Sequence, residues 1–193
     1  VYLTRNGQLL GWIDVRDEIR PEAKQVIDYL HGKNIETILL SGDKLERTKM
    51  IADTLGIDKV YAEKSPEEKL QIIEQLNNEA PVAMVGDGVN DAPALAKATI
   101  GISMSDATQL AVQSAQVVLM NNGIQHLPLA LGLGKHTFIT IKGNLFWAFI
   151  YNVVAIPIAA VGLLQPGFAA LAMGFSDVVL AINSIWLNYK KVI

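Results

Sequence analysis

Gly86-Asp87-Gly88-Val89-Asn90-Asp91-Ala92-Pro93-Ala94-Leu95 is the stretch on which the reading of the whole chain turns. The apolar run 82–85 precedes it and a short helical pattern over 92–97 follows, so a strand here hands over to a helix. In an open parallel sheet that edge is where ligands bind. Glycines at 86 and 88 let the backbone turn sharply and leave room for a ligand. Asp87 and Asp91 are hard oxygen donors suited to Mg²⁺, and Asn90 offers an amide donor to a phosphoryl oxygen. Taken alone, Gly-Asp-Gly is equally at home in an ordinary turn.

The flanking sequence removes that ambiguity. Upstream, residues 9–15 read as a strand, and Pro21 opens a helix that runs to Leu30. Residues 35–40 form a short apolar run of the kind buried on both faces of a parallel sheet. Residues 45–55 have helical spacing closed by Gly56, and 59–62 form another strand. A helix then runs from Pro66 to Asn77 with Leu70, Ile73 and Leu76 as its inner stripe. Residues 99–102 and 116–119 read as the final strands. Such alternation predicts an α/β fold, a three-layer sandwich around a mainly parallel sheet.

Further groups with phosphoryl chemistry fall at matching sheet positions. Ser41-Gly42-Asp43 ends a strand and offers a hydroxyl and free backbone N–H groups to an anion. Lys69, within Ser65-Pro66-Glu67-Glu68-Lys69, supplies the positive charge that a transferring phosphoryl group requires. A solvated helix-surface lysine is the plain alternative for Lys69. Its occurrence in this order with the other two elements outweighs that alternative.

Beyond Gly123 the pattern changes. Residues 124–142 are amphipathic and suit a long helix leading out of the domain, while 145–164 is an uncharged run and 168–187 a second apolar run of similar length. Each is long enough to cross a hydrocarbon core of roughly 30 Å. Between Lys142 and Asp177 there is no Asp, Glu, Lys or Arg, a sharp break from the charged first half. Gln165-Pro166-Gly167 is expected to form the tight turn, and Pro157 to weaken or kink the first span. Lys135 and Lys142 on one side, Lys190 and Lys191 on the other, put both ends of the hairpin in the cytoplasm. The expected division is 1–123 for the domain, 124–144 for a stalk, 145–164 and 168–187 for the spans, and 188–193 for a tail.

Composition excludes other classes. A net charge of −3 with 18% charged residues gives no footprint for nucleic acid. With no Cys there is neither a disulfide framework nor a thiolate metal site in these residues. His31, His126 and His136 lack ligand spacing and are expected to be solvated. No signal peptide is visible, and the Val at position 1 suggests a fragment.

The ordered set of Ser41-Gly42-Asp43, Lys69 and 86–95 resembles the later motifs of the haloacid-dehalogenase superfamily, and 86–95 is similar to its P-type ATPase version. Asp17-Glu18-Ile19-Arg20-Pro21-Glu22 resembles the segment those pumps carry ahead of the second motif, although Ser41 stands where Thr is usual. The resemblance implies a haloacid-dehalogenase-like phosphorylation domain that uses ATP and Mg²⁺. In it Ser41 and Gly42 hold the phosphoryl group and Asp43 places the loop. Lys69 neutralises charge, Asp87 and Asp91 serve Mg²⁺, and Asn90 and Asp91 complete the site. The family's phosphorylated Asp-Lys-Thr-Gly-Thr motif is not in this sequence, so the chain alone is expected to be inactive. Its upstream portion, including the nucleotide domain, is an expected partner.

The two spans resemble the last pair of the heavy-metal (CPx) subgroup, whose copper pumps use a Tyr-Asn pair and a Met-x-x-Ser-Ser motif. Here Tyr151, Asn152, Met173 and Ser176 match, and Asp177 replaces the second Ser. The resemblance implies a multi-pass membrane pump for a heavy-metal ion, Cu(I) export being the first reading, with a metallochaperone as a further partner. Soft thioether donors favour Cu(I), whereas a carboxylate at 177 shifts preference toward Zn²⁺. A membrane-anchored phosphatase and a non-enzymatic scaffold are the other readings.

Overall fold

Asn6 and Gly7, both at positive φ (51° and 79°), turn β1 (Tyr2–Arg5) back on β2 (Gln8–Trp12) as an antiparallel pair. Of the strand expected over 9–15, residues 8–12 are observed, and 14–15 lie outside the described residues. The computed structural model describes residues 2–13, 18–120, 123–163 and 165–190, in two units divided between Gln125 and His126.

In the first unit helix and strand alternate as expected. The order is α1 (Ala23–Gly32), β3 (Ile38–Leu40), α2 (Leu45–Leu55), β4 (Lys59–Tyr61), α3 (Pro66–Glu79) and β5 (Ala83–Gly86). A 3₁₀ turn, Val89–Asp91, then leads to α4 (Ala92–Lys97), β6 (Ile100–Met104), α5 (Gln109–Ser114) and β7 (Val117–Leu119). All pairings after the first hairpin are parallel: Ile38 faces Lys59, Ala83 faces Ile100, and Ile102 faces Val117. The sheet is in two pieces, β3-β4 and β5-β6-β7, so β3 and β5 each keep an edge with no strand partner among the described residues.

Local chemistry sets the helix ends. Gly56, at φ 74°, closes α2 in the left-handed conformation that favours glycine. Ser65 and Glu68 form a reciprocal capping box at the start of α3, with Pro66 in its first turn. The core is Ile73, Met84, Ala94, Leu95, Ala98 and Ala111, with Leu40, Val82 and Ala107 packed against it. Gly101 on β6 lies so close to the Leu95 carbonyl that a Cβ there would overlap it, and its N–H donates to Gln116 Oε1 at 2.5 Å.

The second unit consists of α6 (Leu127–Ala160), α7 (Pro166–Trp186) and short 3₁₀ turns. Both helices are long and apolar enough to cross a membrane. The expected stalk and first span are one continuous helix of 34 residues. Pro157 produces no early break: it sits in the last turn, where the lost N–H bond ends a helix rather than bending it. The turn is also not at Gln165-Pro166-Gly167. Gly162 (φ 73°) stops α6, with Gly162 N–H donating to Ala159 O and Leu163 N–H to Ile158 O, a Schellman pattern. Pro166 opens α7 instead, because a residue without an N–H suits a first turn whose N–H groups are orphaned anyway.

Candidate active site

The clearest contact between predicted site residues is an ion pair. Lys69 Nζ on α3 donates to Asp91 Oδ1 at 2.8 Å, with the two side chains only 13% and 19% exposed. Lys69 reaches it because the capping box aims the first turn of α3. Asp91 sits at the end of the 3₁₀ turn, and Asp91 N–H donates to Gly88 O at 3.2 Å. A Cβ at Gly86 would stand 3.1 Å from Asp91 Cβ, and one at Gly88 would stand 3.5 Å from its Oδ2. The two glycines therefore make the room in which this carboxylate lies.

Asp87 follows β5 directly and is exposed, as is Asn90. The Asp87 carbonyl accepts from Thr108 N–H at 3.0 Å, which ties the loop before α5 to the motif. Thr108, a contact the sequence did not reveal, also caps α5 through Ala111 N–H.

Ser41-Gly42-Asp43 follows β3 and is pinned to the loop after β4. Ser41 N–H donates to Tyr61 O, Lys64 N–H to Ser41 O and Glu63 N–H to Asp43 O, at 2.9, 3.0 and 2.9 Å. Ser41 Oγ accepts from Asp43 N–H at 3.0 Å, so Asp43 holds the loop through its backbone. No hydrogen bond or ion pair among the described residues joins this loop to Lys69, Asp87 or Asp91. A cleft of about 580 Å³ is lined on one side by Ile38, Leu39 and Leu40 of β3 and on the other by residues 82–85 and Asp91.

Two carboxylates, one of them half engaged by Lys69, fit a partial Mg²⁺ site, since that ion is held by one or two carboxylates plus water and phosphate oxygens. No cluster of three or more His, Cys, Asp or Glu capable of holding a metal occurs among the described residues.

A second polar cluster escaped the sequence reading. Asp58 Oδ2 accepts from Thr37 N–H (2.7 Å), Thr37 Oγ1 (2.8 Å) and lies 3.1 Å from His31 Nε2. His31 is therefore engaged, not simply solvated as expected. The Thr37 N–H first, then its hydroxyl and His31, hold the Asp58 carboxyl below its ordinary value of 3.8. Glu68 is likewise held below 4.5, first by Ser65 N–H and then by Lys64. The link spans residues 31, 37 and 58, so no local pattern betrays it.

In the hairpin the predicted residues separate. Tyr151 donates its hydroxyl to Ala169 O at 3.3 Å, and Ser176 is half-buried. Asn152 bonds the Ala148 carbonyl of its own helix at 2.7 Å, while Met173 and Asp177 are exposed.

With a parallel sheet, an aspartate loop at one strand end and a largely covered lysine clamped to it, the chain belongs to the haloacid dehalogenase-like hydrolases, whose family model matches residues 1–99. Within that class its whole length is similar to metal-transporting P-type ATPases. It is 42% identical over all of its length to the "Probable copper-importing P-type ATPase A" of Enterococcus hirae, of which it covers 27%. It is 45% identical over 96% of its length to a copper-exporting P-type ATPase of Staphylococcus haemolyticus, of which it covers 24%. A crystal structure of a zinc-transporting PIB-type ATPase in its E2.Pi state matches 96% of the chain at 32% identity and TM-score 0.85, the chain covering 31% of it. The chain spans about a quarter of the length of the curated relatives it matches.

Proposed function

We propose that this chain is the C-terminal portion of an ATP-driven heavy-metal pump, in which an aspartyl-phosphate cycle drives ion movement through the α6–α7 hairpin and helices supplied by the rest of the protein. The observation that carries this reading is the Lys69–Asp91 pair opening onto a cleft between two unpaired parallel edges, on one polypeptide with a polar-marked apolar hairpin. A parallel strand entering that cleft would pair with β3 and β5 together, separating them by about twice the ordinary strand spacing, roughly 10 Å. Such a strand, from the upstream portion, is where the phosphorylated aspartate belongs.

In this reading Ser41 and Gly42 face the transferred phosphoryl group. The Ser41 hydroxyl accepts from Asp43 N–H and so has its own hydrogen left to donate. Lys69 neutralises the group's negative charge and is held ready by Asp91, which leaves fewer side-chain rotamers to order during the reaction. Asp87 and the free oxygen of Asp91 would hold Mg²⁺, which supplies charge stabilisation to the phosphoryl oxygens. Asn90 adds an amide donor. The domain and the C-terminal end are assigned to the cytoplasm by the lysines flanking the hairpin.

Copper is the first reading for the ion, supported by Met173 and by the names of the copper-pump relatives; outward movement follows the relatives named as exporters, against the one named as an importer. Zn²⁺ is the second, supported by Asp177, a carboxylate in the middle of α7, and by the likeness to a zinc-transporting structure. A membrane-anchored phosphatase is disfavoured, since an anchor has no use for a carboxylate exposed in the middle of a span, as Asp177 is. Metal-stimulated ATP hydrolysis by the complete pump, compared with its Asp177→Ser variant, tests the assignment. Unchanged ion preference and turnover would remove Asp177 from the pathway, and absence of any metal stimulation would remove the pump.

A further inference from the structure

The two membrane-length helices are fastened by side chains that the pump reading has not used. Asn183 Nδ2 on α7 donates to Asn144 Oδ1 at 2.7 Å and lies 3.4 Å from the Thr140 carbonyl. Asn144 Nδ2 in turn donates to Ser184 Oγ at 3.0 Å, and the Ser184 hydroxyl donates to Leu180 O at 2.8 Å. On α6, Thr140, Gly143 and Asn144 are spaced so as to share one helix face. Gly143 is part of the seat: a Cβ there would stand 3.3 Å from Asn183 Nδ2, tighter than an ordinary contact.

Packing alone fixes the rotation of one apolar helix on another weakly, because Leu, Ile and Val surfaces are interchangeable. A paired amide fixes it strongly, since any other register leaves two polar groups facing hydrocarbon. On α7 the half-buried residues include Ala169, Ser176 and Asn183, seven residues apart, so all three lie on the stripe turned toward α6. One residue further on from Ser176, about 100° around the helix, Asp177 is exposed.

Resting on the pump reading above, we infer that Asn183 is a positioning residue: its bond to Asn144 locks the rotation of α7, keeping Ser176 against α6 and Asp177, with Met173, turned toward the remaining helices of the pump. The polar face offered to the ion is thus set two turns away from the residues that would touch it.

The test uses the complete pump, with Cu(I) and Zn²⁺ each titrated. Asn183→Leu and Asn144→Leu are each expected to raise the half-saturating concentration of the activating ion by about 10-fold. The double variant should fall well short of the product of the two single effects, since both remove the shared Asn144–Asn183 bond. Phosphorylation by inorganic phosphate with Mg²⁺ but no transported metal, which reads the phosphoryl site alone, should stay at the wild-type level. Thr140→Val is the control. The Thr140 hydroxyl is buried without a hydrogen-bond partner among the described residues, so its loss should shift neither reading. Unchanged metal dependence in Asn183→Leu and Asn144→Leu would overturn the inference. So would a parallel loss of metal activation and phosphate labelling, which would make the bond a general stability element. A wild-type pump that takes no label from phosphate would instead defeat the reading on which the inference rests.

Discussion

Polar side chains do different work in the two units. In the α/β unit they hold backbone: Asp58 takes the Thr37 N–H, Glu68 the Ser65 N–H, Gln116 the Gly101 N–H and Thr108 the Ala111 N–H. In the helical unit the bonds between helices among the described residues take no backbone N–H: Asn144–Asn183 and Asn144–Ser184 join side chain to side chain, and Tyr151 and Asn183 donate to the Ala169 and Thr140 carbonyls. The difference follows from what each fold leaves unsatisfied. Short strands of three to five residues expose many loop N–H groups that need acceptors. Long helices satisfy their own backbone, and only rotation and register remain to be specified. In the proposed function, phosphoryl chemistry, which needs rigid loops, would fall in the first unit and presentation of side chains to an ion in the second.

The largest expected effect breaks the first unit's chemistry. In the complete pump Lys69→Ala should slow phosphoryl transfer by about 10²–10³-fold, the range for losing one charge-stabilising donor, measured as turnover at saturating metal. Gly101→Ala should destabilise the α/β unit by about 3 kcal/mol in denaturant unfolding, because the new Cβ meets backbone at Leu95 that cannot step aside. Ser65→Ala should cost about 1 kcal/mol through loss of the capping box, read from the same transition.

Acid sharpens the contrast. Asp58 and Glu68 are held below 3.8 and 4.5 in the fold, so the unfolded chain takes up their protons first as pH falls. The stability they contribute is fully present above the unfolded values, and is lost as pH drops through the lower folded ones. Hydrogen exchange of the chain in detergent should therefore show the α1–β4 and α3 amides losing protection between about pH 5 and pH 3, before those at the α6–α7 contact. The smallest effect is in the hairpin. In the chain by itself a Cβ added at Gly174 on α7 would meet nothing within 4 Å, so there Gly174→Ala should be neutral or stabilise the helix by up to about 1 kcal/mol, read from thermal unfolding in detergent.

What could be read from the sequence was local. Residues 45–55 and 92–97 were legible to the residue, because Gly56 stops one helix and the Asp91–Pro93 start begins the other. The aspartate loop was legible because strand, glycine turn and helix follow within a dozen positions. The β1 strand and α5 were not: each is short and has no periodicity long enough to register. The hairpin turn was misplaced because Pro166-Gly167 suits a turn and a helix start alike, and only Gly162 at positive φ settles it. The His31–Thr37–Asp58 link and the Asn144–Asn183 bond depend on residues brought together by folding, which no spacing rule reaches.

The most direct measurement is acid-stable labelling from radiolabelled ATP, with this chain alone, the upstream portion alone, and the two combined. A phosphoryl site shared across the β3–β5 cleft predicts label on the upstream portion only in the combination, and its loss with Lys69→Ala. ATP hydrolysis by this chain alone, or full labelling of the upstream portion without it, would contradict that account.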